Sequence, residues 1–331
     1  MKPLSRARRV GATAIAFAVL MRLFAAGLPE MLWHRYVKPN IQQFLTKQET
    51  GRNVRFSSSI GSFSPDFMES PPPLIPEPTE APLPAFSGSE DVALFYAVRK
   101  QPDIEALLAR PLQWNLFAEE PTVLILHTHT TESYTKQGET YKETSSWRTL
   151  DENYNMLSIG RKVAEILESS GIRTMQDTTL HDYPSYSGSY NHARKSIAAY
   201  LEEYPSIRLV LDLHRDASGS NRNQMRTEAT VEGQPSAQLM LVMGTSASGL
   251  KHPDWEQNLA LGLKLQAQCE RIAPGIMRYV NLRAQRFNQD LSPGALLIEV
   301  GAAGNTHPEA LRAVEVLAEA ILALSRGSSV S

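Results

Sequence analysis

Five short apolar runs limit the fold more than anything else in this chain: "TVLIL" (122–126), "IRTMQ" (172–176), "RLVLDL" (208–213), "AQLMLVMG" (237–244) and "ALLIEVG" (295–301). Several are apolar at every position, not at every second one, which is the signature of strands covered on both faces. Such a sheet needs a layer on each side. The segments between supply it: "NYNMLSIGRKVAEILESSG" (153–171), "NHARKSIAAYLEEYP" (191–205), "DWEQNLALGLKLQAQCERIAP" (254–274) and "HPEALRAVEVLAEAILALSR" (307–326) repeat their apolar residues at helical spacing. Gly171 closes the first helix and Pro274 stops the third. "TEATVEGQPSAQLMLVMG" (227–244) reads as a hairpin. The alternation predicts one α/β domain over residues 90–326, with a central mostly parallel or mixed sheet flanked by helices.

The regions before and after that domain have a different composition. Lys2, Arg6, Arg8 and Arg9 precede the apolar run Val10 to Leu20, which resumes after Arg22 and continues to Leu28. A span needs about 20 mostly apolar residues, so this segment crosses a bilayer only if Arg22 snorkels. Phe24-Ala25-Ala26 is a poor cleavage site. The expectation is an uncleaved single-pass anchor over residues 1–30, with the basic end cytoplasmic and the body exported. Residues 31–89 read as an extracytoplasmic stem. Within it, "PDFMESPPPLIPEPTEAPLP" (65–84) holds eight prolines, four acidic residues and no basic one. Such a stretch makes a semi-rigid spacer. Residues 327–331 read as a disordered tail. A net charge of -2 gives nucleic-acid binding no support, and the single Cys269 excludes an internal disulfide framework and cysteine metal clusters.

In open α/β sheets the chemistry gathers beyond the carboxyl ends of the strands. Three strand ends here carry polar groups. "PTVLILHTHTTESY" (121–134) places His127, His129 and Glu132 directly after a strand. "LVLDLHRDA" ends with His214 among Asp212, Arg215 and Asp216, and "ALLIEVGAAGNT" holds Glu299 inside an apolar strand. A catalytic zinc takes three His or Glu ligands and leaves one position for water. His129, Glu132 and His214 supply that count, with Glu299 as candidate base. An ordinary turn and an Asp212–Arg215 pair across the strand are the plain alternatives, but a carboxylate in "LLIEVG" is costly without a partner. No G-x-S-x-G elbow is present, and "SGS" at 187–189 lies in a loop. Phosphate-cradling glycine motifs are also missing.

"HTHTTESY", "HDYPSYSGSYNHA", "DLHRDA", "HPDWEQNLALGLKLQ", "RFNQDLSPGALLIEVGAAGNT" and "EALRAVEVLAEAI" follow one another in order. Together they resemble the stage II sporulation protein P family of bacterial cell-wall hydrolases over about residues 120–325. The resemblance implies a fold like that of zinc amidases and carboxypeptidases. It also implies zinc held by a His, a Glu and a second His, with a late-strand Glu as base. Carried onto this chain, the second His is His214 and the base Glu299. For the first pair, His129 and Glu132 match the His-x-x-Glu spacing of zinc carboxypeptidases. The longer spacing of classical amidases would choose Glu143, or more loosely Glu152. His127 stays open as an alternative ligand or a supporting residue. Arg215, Arg283, Arg286 and Asn288 are candidates for gripping a stem-peptide carboxylate. The resemblance further implies a peptidoglycan substrate, both stem peptide and glycan. Its other implications are work at the septal membrane during engulfment, a lytic transglycosylase partner and a membrane recruiter.

Overall fold

The computed structural model describes residues 85–327, except 89–91, 97, 99, 113, 139, 146, 218, 221 and 222. The predicted anchor, the Pro-rich spacer and all but the first residue of the tail lie outside the described residues. Among the described residues no helix is long and apolar enough to cross a membrane.

An eight-stranded sheet forms the centre. Its strands are β1 (Ala85–Gly88), β2 (Ala93–Tyr96), β3 (Val123–Leu126), β4 (Thr174–Gln176), β5 (Leu209–Asp216), β10 (Leu239–Met243), β11 (Val280–Leu282) and β12 (Ala295–Ala302). They lie in the order β1-β2-β11-β10-β12-β5-β3-β4. All neighbours run parallel except β1 with β2 and β10 with β12. The two remaining pairs are small: β6 (Gly219–Ser220) with β7 (Asn223–Gln224), and the hairpin β8 (Ala229–Val231) with β9 (Gln234–Ser236). The expected hairpin is therefore tighter than its sequence segment, because β10 leaves it to join the main sheet. The sheet also begins at Ala85, ahead of residue 90, since β1 extends its edge into the segment read as stem.

Alternation along the strands divides the core in two. Val123, Ile125, Leu211, Leu213, Ile298 and Val300 point to one face, where they meet the helices α1 (Ile104–Ala109), α2 (Met156–Ser169), α4 (Trp255–Ile272) and α5 (His307–Ser325). Leu124, Leu126, Val210 and Ala295 point to the other and pack on Ala193 and Ile197 of α3 (Ser189–Glu203). Two layers of apolar side chains explain why these strands lack a polar face.

Local signals fix the helix ends. The Asn155 side chain accepts from Leu157 N at 3.0 Å to start α2, and Gly171 turns the chain away at φ 88°. At the head of α5, Thr306 N donates to Glu309 Oε2 at 3.0 Å. Asn305, fully buried, ties that corner to the 225–228 loop: it accepts from Thr227 N and Ala302 N and donates to Thr227 O and Glu309 Oε2. The register of β12 on β5 shifts between Glu299 and Ala302, where Gly301 adopts φ 64°. A Cβ there would stand 2.7 Å from Ala237 Cβ and 2.8 Å from Asn305 Oδ1, so the bulge needs glycine.

Candidate active site

Glu299 and His214 are direct partners on the parallel strands β12 and β5. Both follow the period of the α3 side of the sheet, Ala295-Leu297-Glu299 and Val210-Asp212-His214. The turn after β3 brings its residues to the same place. Glu132 N donates to His129 O at 3.1 Å, and the His129 and His214 rings meet edge to face with centroids 5.2 Å apart. Glu132 Oε2 lies 3.8 Å from His214 Nδ1. Four of the residues singled out in the sequence thus converge: His129, Glu132, His214 and Glu299.

Each is held by its neighbours. Arg215 fixes Glu132, its N donating to Oε2 at 3.2 Å and Nη1 to Oε1 at 3.3 Å, and it also donates to Ser133 O and Trp147 O. Arg148 adds a contact to Glu132 Oε1 at 3.3 Å and pairs with Asp182, which in turn accepts from Thr131 N and Oγ1. Burial opposes the Glu132 charge, but Arg215, then His129, His214 and Arg148, hold its carboxyl below the usual range. Removing either partner of such a buried pair costs about 3–5 kcal/mol.

Asp212 does not pair with Arg215. It accepts from Thr128 N at 2.8 Å and Thr128 Oγ1 at 2.6 Å, and its Oδ1 stands 2.9 Å from His214 Nε2. The last contact is close, but Nε2 makes no hydrogen bond of good direction, so its main effect is Coulombic. Burial alone would lower the His214 pKa; Asp212, followed by Glu132 and Glu299, lifts it to about 9. Burial takes His129 down to about 4, outweighing the upward pull of Glu132 and Asp212. Its Nε2 meets Tyr186 Oη at 3.1 Å and its Nδ1 meets Ser189 Oγ at 3.3 Å. Tyr186, 57% exposed, stacks on this imidazole at 4.5 Å and receives the Arg148 guanidinium 4.9 Å from its centroid. Tyr190 forms the next wall, 5.6 Å from His129 and 6.4 Å from His214 between ring centroids.

Glu299 is only partly buried as a residue, yet its Oε2 is shut off from solvent and has no hydrogen-bond partner. Burial pushes its pKa up to about 8; His214 and Arg215 pull it down, while Asp216 and Glu132 push it further up. A carboxyl that holds a proton near neutrality and keeps one oxygen free is suited to proton transfer.

His127 belongs to the other face of the sheet. Fully buried, it places Nδ1 3.1 Å from Leu213 O and Nε2 3.1 Å from Gln176 Nε2, against Gly160 of α2. It is a core histidine, brought down to about 4 by burial. Glu143 is exposed and accepts from Trp147 N at 3.0 Å, and exposed Glu152 faces Arg161 at 4.0 Å. Neither enters the site. Arg283 is exposed, and Arg286 pairs with Asp290 at 3.1 Å. Asn288 donates to Tyr190 O at 2.8 Å and so props that wall. Arg215 already serves Glu132. Sequence reasoning passed over Arg148, Asp182, Tyr186 and Tyr190; the last three sit in "HDYPSYSGSY", which had been noted only as a motif.

His129, Glu132 and His214 are donors of the types that zinc takes. Donors at about 2.0–2.2 Å from one tetrahedral ion stand roughly 3.4 Å apart, near the 3.8 Å between His214 Nδ1 and Glu132 Oε2. The Asp212 carboxylate stands 2.9 Å behind the opposite nitrogen of His214, where a metal-ligating imidazole usually has a carboxylate, though Nε2 is not directed at it. The third donor is engaged elsewhere, on Tyr186 and Ser189. Among the described residues no three such side chains are already drawn together at coordination spacing.

Comparison with known proteins fixes the lineage. The family model for Stage II sporulation protein P matches residues 77–322. The chain belongs to this family. A curated relative, Stage II sporulation protein P of Bacillus subtilis strain 168, is 28% identical over 214 residues, covering 61% of this chain and 50% of that protein. The chain thus aligns over about half the length of this relative. Among solved structures, N-acetylmuramoyl-L-alanine amidase AmiC2 of Nostoc punctiforme is 15% identical with a TM-score of 0.36, covering 62% of this chain and 97% of that one. The N-acetylmuramoyl-L-alanine amidase of Clostridium difficile 630 is 18% identical with a TM-score of 0.37, covering 65% and 100%. At these scores the overlap assigns no activity.

Proposed function

We propose that this member of the Stage II sporulation protein P family is a peptidoglycan hydrolase that cleaves the amide between N-acetylmuramic acid and L-alanine. The observation that carries the reading is the Glu299 carboxyl, buried at Oε2 and directly opposite His214. Family membership supports a wall substrate and a role in sporulation. His129, Glu132 and His214 would hold a zinc ion. When bound, zinc supplies a Lewis acid for the scissile carbonyl and lowers the pKa of its water to about 7. Arg215 and Arg148 keep Glu132 ionised and aimed, and the Asp212 charge makes His214 more basic. In its ionised form the Glu299 carboxylate takes a proton from the attacking water and returns it to the leaving amine of L-alanine. Tyr186 and Tyr190 wall the cleft and limit its access to solvent. The basic-then-apolar N-terminus supports display of this domain outside the cell membrane by a single-pass anchor. Work at the septum with a lytic transglycosylase and a membrane recruiter completes the reading.

Mass analysis of fragments released from purified sacculi tests it. The expected products carry new N-terminal alanine and leave muramic acid unsubstituted, and a chelator stops their release. Glu299→Gln keeps metal and loses hydrolysis, whereas His214→Ala loses both. Intact muramoyl-alanine bonds beside cleaved stem peptides would replace the amidase reading with a zinc peptidase. Sacculi left whole by metal-loaded protein would leave only a wall-binding scaffold.

A further inference from the structure

A cavity of about 380 Å³ opens at the amino ends of β5 and β12, the pole opposite His214 and Glu299. The segment after α1, the start of β5 and helix α4 surround it. Arg110, Arg208 and Lys264 line it together with Leu112, Trp114 and Leu261, and no carboxylate is among its walls. Arg110 is answered by Glu256 at 2.8 Å. The other two cations meet only carbonyl oxygens. Arg208 Nη1 donates to Pro205 O at 2.6 Å and Ile207 O at 3.1 Å, and Lys264 Nζ donates to Leu108 O. Among the described residues neither forms an ion pair. Burial holds the Lys264 ammonium below its ordinary pKa, as expected for a partly desolvated cation with no opposite charge.

Cations that lack carboxylate partners and line one cavity are complementary to an oxyanion. We propose that this cavity binds a small molecule bearing a carboxylate or phosphate, with its apolar part against Leu112, Trp114 and Leu261. Its volume is at the lower end of the range for ligand pockets, about 300–1,000 Å³, and fits a body the size of one sugar or one amino acid. The proposal stands apart from the hydrolase reading, since it uses no residue of the catalytic cleft.

Calorimetric titration of the full chain with inorganic phosphate, and separately with acetate, tests it at an ionic strength matched with chloride. Saturable binding of either is expected, with phosphate alone marking a phosphorylated ligand and acetate alone a carboxylated one. The double variant R208Q/K264M weakens binding at least tenfold at an unchanged melting midpoint. If that variant fails to fold, K264M alone carries the same expectation. Phosphate and acetate behaving as chloride, or a folded variant binding as well as the parent, would overturn the proposal.

Discussion

Glu299 should destabilise the metal-free fold at neutral pH, and Glu299→Gln should therefore stabilise it. The carboxyl has a folded pKa of about 8 against an ordinary 4.5. Below pH 4.5 it is protonated in both states and contributes no difference. Between 4.5 and 8 the folded state binds the extra proton, so stability falls as pH rises and levels off above the folded value. At pH 7 the 2.5-unit gap from the unfolded value corresponds to about 3 kcal/mol. That is an upper bound, because part of the side chain reaches solvent. Glutamine keeps the shape and cannot ionise. Chelator-treated parent and variant, melted from pH 4.5 to 9, should therefore separate progressively. The variant should lead by about 1–3 kcal/mol at pH 7, or on the order of 2–12 °C in melting midpoint for a domain of this size. A gap between the two that stays constant across this range would refute the argument, because Glu299 would then ionise in the fold as it does in water.

Gly160→Ala should destabilise by about 1–3 kcal/mol in urea titration despite its better helix propensity, because its Cβ would stand 2.5 Å from Gln176 Nε2 and 2.6 Å from His127 Nε2. A gain in stability would mean that His127 is free to move. Glu309, held down to about 2 by Arg226, Asn305 and Thr306 N against the effect of burial, gives stability that is complete above pH 4.5 and lost as pH falls toward 2. Acid titration of Glu309→Gln should lack that loss. Tyr186→Phe removes the hydroxyl from His129 Nε2 and should tighten zinc binding in a chelator competition several-fold. Unchanged or weaker binding would count against Tyr186 as a competitor for that nitrogen.

The long apolar strands and the four longer helices were readable because their periods are set by burial. Strands β1, β2 and β11 were not, being edge pieces or three to four residues long, and the six residues of α1 are too few to display a helical period. His129, Glu132, His214 and Glu299 were readable as polar residues at strand ends. Arg148 and Tyr186 were not, since loop packing brings them in and leaves no repeat in the sequence. The Asp212–Arg215 pair, the plain alternative that the sequence left open, is ruled out by strand geometry. Residues 212 and 214 share a face and 215 does not, so Asp212 goes with His214 and Arg215 turns to Glu132.

The pairing of Glu299 with His214 also determines where this chain can change length. One residue inserted within β5 or β12 ahead of them would turn an imidazole or a carboxyl to the wrong face. By contrast, the loops of the excursion from 217 to 294 lie outside the β5–β12 pairing, although its β10 pairs with β12 on the other side. Insertions at the exposed tips of that excursion, such as Glu232–Gly233 or Ser246–Gly249, should leave Glu299 opposite His214. Relatives with longer or shorter excursions can then keep the same chemistry.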